Sequence, residues 1–217
     1  MTWTLGLFEI WYPTIDNLSP FIGEAEAVLA NPKQILEVKD TILQYATQAG
    51  IDYLKSAAPD QRPSHTHRLK RLLNDAFSDH TSSLQGRAVT AWSRLHLQYP
   101  EDFPLEEISR MVGTIADSKD AVESSQTAAL FVIKELGMTQ HTGFARQMLE
   151  APSSDNVQFY AIQALAACGV RTDINALQTR VRRIPAIQKD TRNAVSEIEN
   201  RSELRTIRSN RPATVQE

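Results

Sequence analysis

The sequence predicts an all-α protein, a right-handed α-solenoid of stacked antiparallel helix pairs with an N-terminal helical cap. Three observations support this fold class. Apolar residues recur at helical spacing in nearly every segment. The 217 residues include only 8 glycines and 7% aromatics, while the good helix formers Ala, Leu, Gln and Glu are common. The segments ALFVIKELG (129–137) and AIQALAACG (161–169) also look like two copies of one unit.

The segment NPKQILEVKDTILQYATQAG (31–50) predicts the first clear helix. Asn31 is the expected N-cap, Pro32 takes the first helical position and Gly50 follows the helix end. The helix is expected to bury one apolar stripe along its length. That stripe consists of Ile35, Ile42, Ala46 and Ala49.

Three more helices are predicted between residues 67 and 116. HRLKRLLNDAF (67–77) places its leucines and Phe77 on one face, with Arg68, Lys70 and Arg71 turned away. SLQGRAVTAWSRLHLQY (83–99) stacks Trp92 with small and aliphatic residues, and Pro100 closes it. DFPLEEISRMVGTIA (102–116) begins with three acidic residues, the charge that a helix N-terminus favours.

The two similar segments align when Ala129 is placed on Ala161. Gly137 then falls on Gly169, and both glycines suit left-handed helix ends. A further shift of nearly the same length places Ala194 on Ala161. A helix pair of this length cannot bury its apolar face alone, so stacked neighbours would complete the core. An ordinary antiparallel bundle gives similar spacings and is the alternative interpretation.

The segment DNVQFYAIQALAACG (155–169) resembles the first helix of a HEAT-type repeat. It has an acidic start, then Val157, Ala161, Leu165 and a closing Gly169. It looks most like the short bacterial HEAT repeats found in phycobilin lyases, among others, although Gln158 stands where a basic residue is commoner. The resemblance covers residues 82–200. It implies a concave surface that recognises protein or nucleic acid, and it identifies no ligand.

The chain is expected to form one continuous domain with three parts. Residues 1–81 are the N-terminal helical cap, residues 82–209 are the HEAT-like repeats and residues 210–217 are a disordered tail. The N-terminal segment lacks the basic start of a secretory signal, and no apolar run reaches the roughly 18 residues of a membrane span. The single cysteine, Cys168, fits a reducing compartment. We therefore expect a cytoplasmic protein with no membrane partner.

No catalytic residue, metal site or cofactor is predicted. A phosphate-binding glycine loop, a nucleophile elbow and an HExxH motif are all missing from the sequence. His65, His67 and His80 are conceivable zinc ligands, but polar residues at a helix start are the favoured interpretation. Cys168 lies at a helix end without a cationic neighbour in sequence, so we interpret it as a small buried residue.

Charge is distributed unevenly along the chain. Residues 1–60 carry 3 basic and 8 acidic side chains, whereas residues 171–217 carry 10 basic and 6 acidic ones. Helical spacing places arginines of the C-terminal helices on related stripes, and guanidinium groups suit phosphate or carboxylate. The candidate binding residues are Arg180, Arg183, Arg201, Arg205 and Arg208. A solvated helix face, partly paired with neighbouring glutamates, is the slightly favoured alternative.

Aromatic residues concentrate at the other end of the chain. They are Trp3, Phe8, Trp11 and Tyr12. One interpretation is a cap over the exposed first helix of the array, which repeat proteins need. The other is a partner-binding surface, since Trp and Tyr dominate interface energetics. Capping is the favoured interpretation.

Three functional hypotheses follow from these observations. The first is a non-catalytic protein-binding module: an adaptor, inhibitor or immunity-type protein that uses a concave solenoid surface. The second is a nucleic-acid-binding protein that resembles the HEAT-like alkylpurine DNA glycosylases and uses the arginine stripe. The aromatic residues of those enzymes' C-terminal repeats are largely missing here, which puts glycosylase activity in doubt. The third, a phycobilin lyase-like pigment chaperone, depends on the repeat resemblance alone.

Overall fold

The computed structural model describes residues 18–58, 60–79, 82–151, 153–181 and 187–209, together with most of their side chains. The chain divides into two compact units, residues 1–129 and residues 130–217. All regular structure in the described residues is helical, which confirms the predicted all-α class. The predicted boundary at residue 81 follows the repeat pattern and stays a prediction, as does the disordered tail 210–217, which lies outside the described residues.

Ten α-helices and one short 3-10 helix lie within the described ranges. In chain order they are α1 (Leu18–Ala30), α2 (Leu36–Ser56), α3 (Arg62–Phe77), α4 (Leu84–Gln98), α5 (Leu105–Asp117), α6 (Glu123–Leu136), the 3-10 helix (Thr139–His141), α7 (Thr142–Glu150), α8 (Asp155–Cys168), α9 (Asp173–Val181) and α10 (Gln188–Ser209). No helix in this part of the chain has both the length and the apolar character needed to cross a membrane.

Helix α2 is the centre of the first unit and packs against α1, α3 and α4. The predicted start at Asn31 and Pro32 is wrong, because α2 begins only at Leu36. Asn31 instead accepts a hydrogen bond from the backbone N–H of Lys33, which stabilises a turn before the helix. Ile35 therefore precedes the helix and is 45% exposed, while the rest of the predicted stripe is buried.

The predicted end of α2 at Gly50 is also wrong, because the helix continues to Ser56. Gly50 is buried within α2, and a Cβ atom there would collide with the side chain of Leu69 on α3. The glycine thus permits close helix approach and does not end the helix. Local sequence cannot distinguish these two uses, since both need only the missing side chain.

Helices α3 and α4 bury the faces that their periodicity predicts. The leucines of α3 and Phe77 are buried, and Trp92 is 2% exposed at the centre of α4. The prediction that Lys70 turns away from this core is wrong, because its Nζ lies 5.9 Å from the Trp92 ring centroid and 5.3 Å from that of Phe103. The ammonium group is attracted to the ring faces while its aliphatic stem covers apolar surface. The two rings meet edge to face with centroids 5.1 Å apart.

In the second unit, α8 packs against α7 and α10, and α9 packs against α7 and α10. Helix α8 begins where its sequence predicts. The Ser154 hydroxyl accepts a hydrogen bond from the backbone N–H of Val157, and Asp155 supplies negative charge in the first turn. Val157, Ala161 and Leu165 are each at most 1% exposed.

The two glycines aligned by the repeat differ in conformation. Gly137 has a φ of 61° after α6, which confirms the predicted left-handed helix end. Gly169 has a φ of −67° and a ψ of 166°, so the same prediction for Gly169 is wrong. A Cβ atom on Gly169 would lie 2.5 Å from the carbonyl oxygen of Leu165 and 3.0 Å from Oδ2 of Asp173. Here the glycine makes room for neighbouring oxygens.

Candidate functional site

The C-terminal end of α8 is completed by a side chain from α10. The last carbonyl groups of a helix have no partner within the helix and need donors from elsewhere. Arg201 supplies them: Nη1 donates to the carbonyl oxygen of Ala166 at 2.5 Å and Nη2 to that of Gly169 at 3.0 Å. The guanidinium group also places positive charge at the negative end of the helix dipole.

A buried carboxylate organises the turn between α8 and α9. Asp173, the first residue of α9, is 3% exposed, and its Oδ2 accepts a hydrogen bond from the backbone N–H of Val170 at 2.8 Å. Arg146 on α7 donates to the same carboxylate through Nε and Nη2. The hydrogen bond to Asp173 raises the pKa of Arg146 above its ordinary value. The carboxylate thus joins α7, the turn after α8 and the start of α9.

Cys168, the last residue of α8, is buried at 5% exposure, in agreement with its interpretation as a small buried residue. Its Sγ donates to the carbonyl oxygen of Ile133 at 3.4 Å. Burial raises the pKa of the thiol, and the nearby charge of Arg201 opposes that shift. The cationic neighbour that the local sequence lacks is therefore supplied by α10, but burial has the larger effect.

Cys168 and Arg201 each contact the preceding aligned helix. The alignment that places Ala194 on Ala161 also places Arg201 on Cys168. Each of these two side chains donates to a carbonyl oxygen 35 residues earlier, on the preceding aligned helix. The acceptors lie at neighbouring positions of the alignment, because Ile133 aligns with Leu165, one residue before Ala166.

Of the five predicted arginines, Arg201 has a described side chain and contributes to the end of α8. Arg180 lies on α9, while Arg205 and Arg208 lie on α10, and their side chains are outside the described part. Arg183 also lies outside the described residues, as do the predicted cap aromatics Trp3, Phe8, Trp11 and Tyr12. The arginine stripe therefore stays a prediction.

Three half-buried aromatic side chains lie together on α6 and α8. Tyr160 contacts Phe131 with ring centroids 6.4 Å apart and Phe159 with centroids 5.4 Å apart, both edge to face. The positions of α10 that the sequence alignment places on Phe159 and Tyr160 are Arg192 and Asn193, both exposed. Tyr and Arg are among the residues that contribute most to protein interfaces. This group was not predicted from the sequence, although the FY pair at 159–160 was visible.

A recess of about 460 Å³ opens in the first unit between α1 and α3. Its lining consists of Glu26, Leu29, Ala30, Arg71, Leu72, Asp75, Ala76, Asp79 and Leu84. Leu72 and Leu84 are buried, at 1% and 3% exposure, and the lining also includes charged side chains. The recess was not predicted from the sequence, because its residues come from three separate helices and one connection. We call it the α1–α3 recess.

The histidines at the start of α3 take different environments. His65 packs against Tyr53 with ring centroids 4.2 Å apart and the rings tilted by 50°. Burial, with a smaller contribution from Arg68, lowers the pKa of His65. His67 is exposed, and His80 lies outside the described residues. Within the described ranges, no group of three or more His, Cys, Asp or Glu side chains could hold a metal ion.

Comparisons of the chain with protein-family models, with curated proteins and with solved structures gave no match.

Proposed function

We propose that this chain is a non-catalytic helical-repeat protein that binds another protein as an adaptor, inhibitor or immunity-type module. In this proposal residues 82–209 form a right-handed HEAT-like solenoid, residues 1–81 cap it, and the protein acts in the cytoplasm. The observation that carries the proposal is that Cys168 and Arg201, which align, each donate to a carbonyl oxygen near the C-terminal end of the preceding aligned helix. Contacts between consecutive units are what a repeat array needs, because each unit completes its core on the next.

The buried small residues agree with the repeat alignment. Ala129, Ala161 and Ala194 occupy the same position in the repeat alignment, and each is at most 1% exposed. An alanine at this position lets neighbouring helices approach closely, and a larger side chain would need the helices to separate. The repetition therefore extends from the sequence to the burial of equivalent positions on α6, α8 and α10.

The partner-binding surface of this proposal includes the exposed side of α8 and α10. Tyr160 and Phe159 offer rigid aromatic area at low entropic cost, and Arg192 offers a planar donor group on the next aligned helix. A surface of aromatic residues and arginine is typical of the central part of protein interfaces.

The contacts of Arg201 weigh against the nucleic-acid alternative. That alternative needs Arg201 in a phosphate-binding stripe, and the Arg201 guanidinium is engaged by two backbone carbonyl oxygens. The pigment-chaperone alternative stays a prediction of the repeat resemblance.

The test is affinity capture with the tagged full-length chain from native lysate treated with nuclease. We expect one protein to be retained in stoichiometric amount by the parent chain and to be lost with Tyr160→Ala or Arg192→Glu. Lys119→Glu, a charge reversal at an exposed residue of the first unit, is the matched control and should retain it. The proposal fails if no protein is retained stoichiometrically, or if the two test variants retain it as well as the control does.

A further inference from the structure

Helix α10 buries few apolar side chains against the rest of the second unit. Among its described side chains, residues 188–203, those that are buried are Thr191, Ala194 and Ile198. By contrast, eight of the fourteen residues of α8 are buried. Because hydrophobic stabilisation grows with the apolar area removed from water, this part of α10 gains less from docking than α8 does. Elements with few buried apolar contacts open at a lower free energy than the whole domain unfolds.

A polar contact joins the middle of α10 to the end of α8. Arg201 donates to the carbonyl oxygens of Ala166 and Gly169, one on each side of Cys168. When α10 leaves, these bonds are replaced by bonds to water, so breaking them costs much less than their strength in isolation. The buried Thr191 hydroxyl adds no bond to α8 that would replace them, since it donates to the carbonyl oxygen of Ile187 one turn earlier.

The Cys168 thiol lies beside this contact and is 5% exposed. The positive charge of Arg201 acts on the pKa of the thiol, which places the guanidinium near Sγ. Departure of α10 would remove that guanidinium and uncover the end of α8. Because the chain has a single cysteine, the reaction of this thiol reports such an opening.

We propose that α10 is a detachable lid over α8, which opens as one element while α7, α8 and α9 stay folded. The two hydrogen bonds of Arg201 set how rarely the lid opens. Opening would also regulate the partner-binding surface, since Tyr160 lies on α8 and Arg192 on α10, and the two separate when α10 leaves. This consequence rests on the proposed function, whereas the opening itself does not.

The test is the rate at which an aromatic disulfide reagent labels Cys168 in the full-length chain, at about pH 8 and at urea concentrations below the unfolding transition. Opening of one helix exposes little surface, so the rate should change little at low urea and rise steeply only near the transition. Arg201→Ala should raise the rate without urea about five- to hundredfold. Arg201→Lys should give an intermediate rate, because a lysine keeps the charge without the forked geometry.

Arg192→Ala, at an exposed position of α10, is the matched control and should label as the parent does. Ala145→Gly, at a buried position of α7, weakens the unit through helix propensity and leaves the Arg201 bonds in place, so its rate without urea should also equal that of the parent. Circular dichroism confirms the fold of each variant.

A labelling rate that follows the urea dependence of global unfolding down to zero urea would overturn the proposal, because only the unfolded chain would then react. Equal acceleration by Ala145→Gly and Arg201→Ala would overturn it as well. These rates need no partner protein. They therefore decide the opening of α10 even if affinity capture retains nothing.

Discussion

Arg201 donates a hydrogen bond to the carbonyl oxygen of Gly169, 32 residues earlier in the chain. The acceptor belongs to the residue directly after α8, and the donor belongs to the middle of α10. An arginine that the sequence places in a ligand-binding stripe thus stabilises the end of the preceding aligned helix. Its effect on stability can be measured directly.

Arg201→Ala should lower the free energy of unfolding by about 1–3 kcal/mol, because two carbonyl groups at the end of α8 lose their donors. Arg201→Lys should recover part of this loss, since a lysine keeps the charge but cannot donate in the same forked geometry. Urea denaturation measures the effect. Arg192→Ala, at an exposed position of the same helix, is the control. Equal unfolding free energies for the two alanine variants would contradict this role of Arg201.

Gly169→Ala should also destabilise the chain, by about 1–3 kcal/mol, because the added Cβ would overlap the carbonyl oxygen of Leu165 and crowd Asp173. Gly143→Ala is the matched substitution, since a Cβ at that position of α7 meets no atom within 4 Å. Alanine there should leave stability unchanged or raise it by up to about 1 kcal/mol. Thermal unfolding of both variants separates the two glycines. If Gly169→Ala were as stable as Gly143→Ala, the close approach described for Gly169 would be wrong.

His65 should make stability depend on pH. Its pKa is lowered in the folded chain from the ordinary value of 6.5, first by burial and then by Arg68. As pH falls below 6.5, the unfolded chain binds a proton that the folded chain resists, so stability decreases toward the folded pKa. His65→Gln should reduce this loss, measured as the difference in unfolding free energy between about pH 7.5 and about pH 5.5. The explanation fails if the exposed His67→Gln variant removes as much of the difference.

The Cys168 thiol should react slowly in the folded chain. Burial raises its pKa, so the reactive thiolate is scarce, and at 5% exposure the side chain is hardly accessible. Because the chain has a single cysteine, labelling with an aromatic disulfide reagent at about pH 8 reports on this thiol alone. We expect a large increase in rate when denaturant is added. The same rate with and without denaturant would show that Cys168 is accessible.

The faces of the helices could be predicted from the sequence, because burial follows spacings of three and four residues. The buried leucines of α3 and the alanines at 129, 161 and 194 are found by such spacing alone. The helix ends were harder to predict. Glycine is common at helix ends, so the sequence predicts an end at both Gly50 and Gly169. Each glycine instead makes room for nearby atoms that the local pattern does not reveal.

The candidate sites were harder still, because their members are far apart in sequence. Arg146 and Asp173 are 27 residues apart, and the lining of the α1–α3 recess comes from residues 26 to 84. An acidic residue at the start of α9 is visible in the sequence, but its partner on α7 is not. Lys70 likewise carries no local sign that Trp92 and Phe103 lie beneath its ammonium group.

Because Arg201 binds the end of α8, this helix is synthesised before the side chain that completes its hydrogen bonds. A ribosome makes the carbonyl groups of Ala166 and Gly169 35 and 32 residues before it makes the side chain that binds them. During that interval the end of α8 depends on water for its hydrogen bonds. A nascent chain released before residue 201 would therefore lack the end of α10. It would also leave the carbonyl groups of Ala166 and Gly169 without the Arg201 donor.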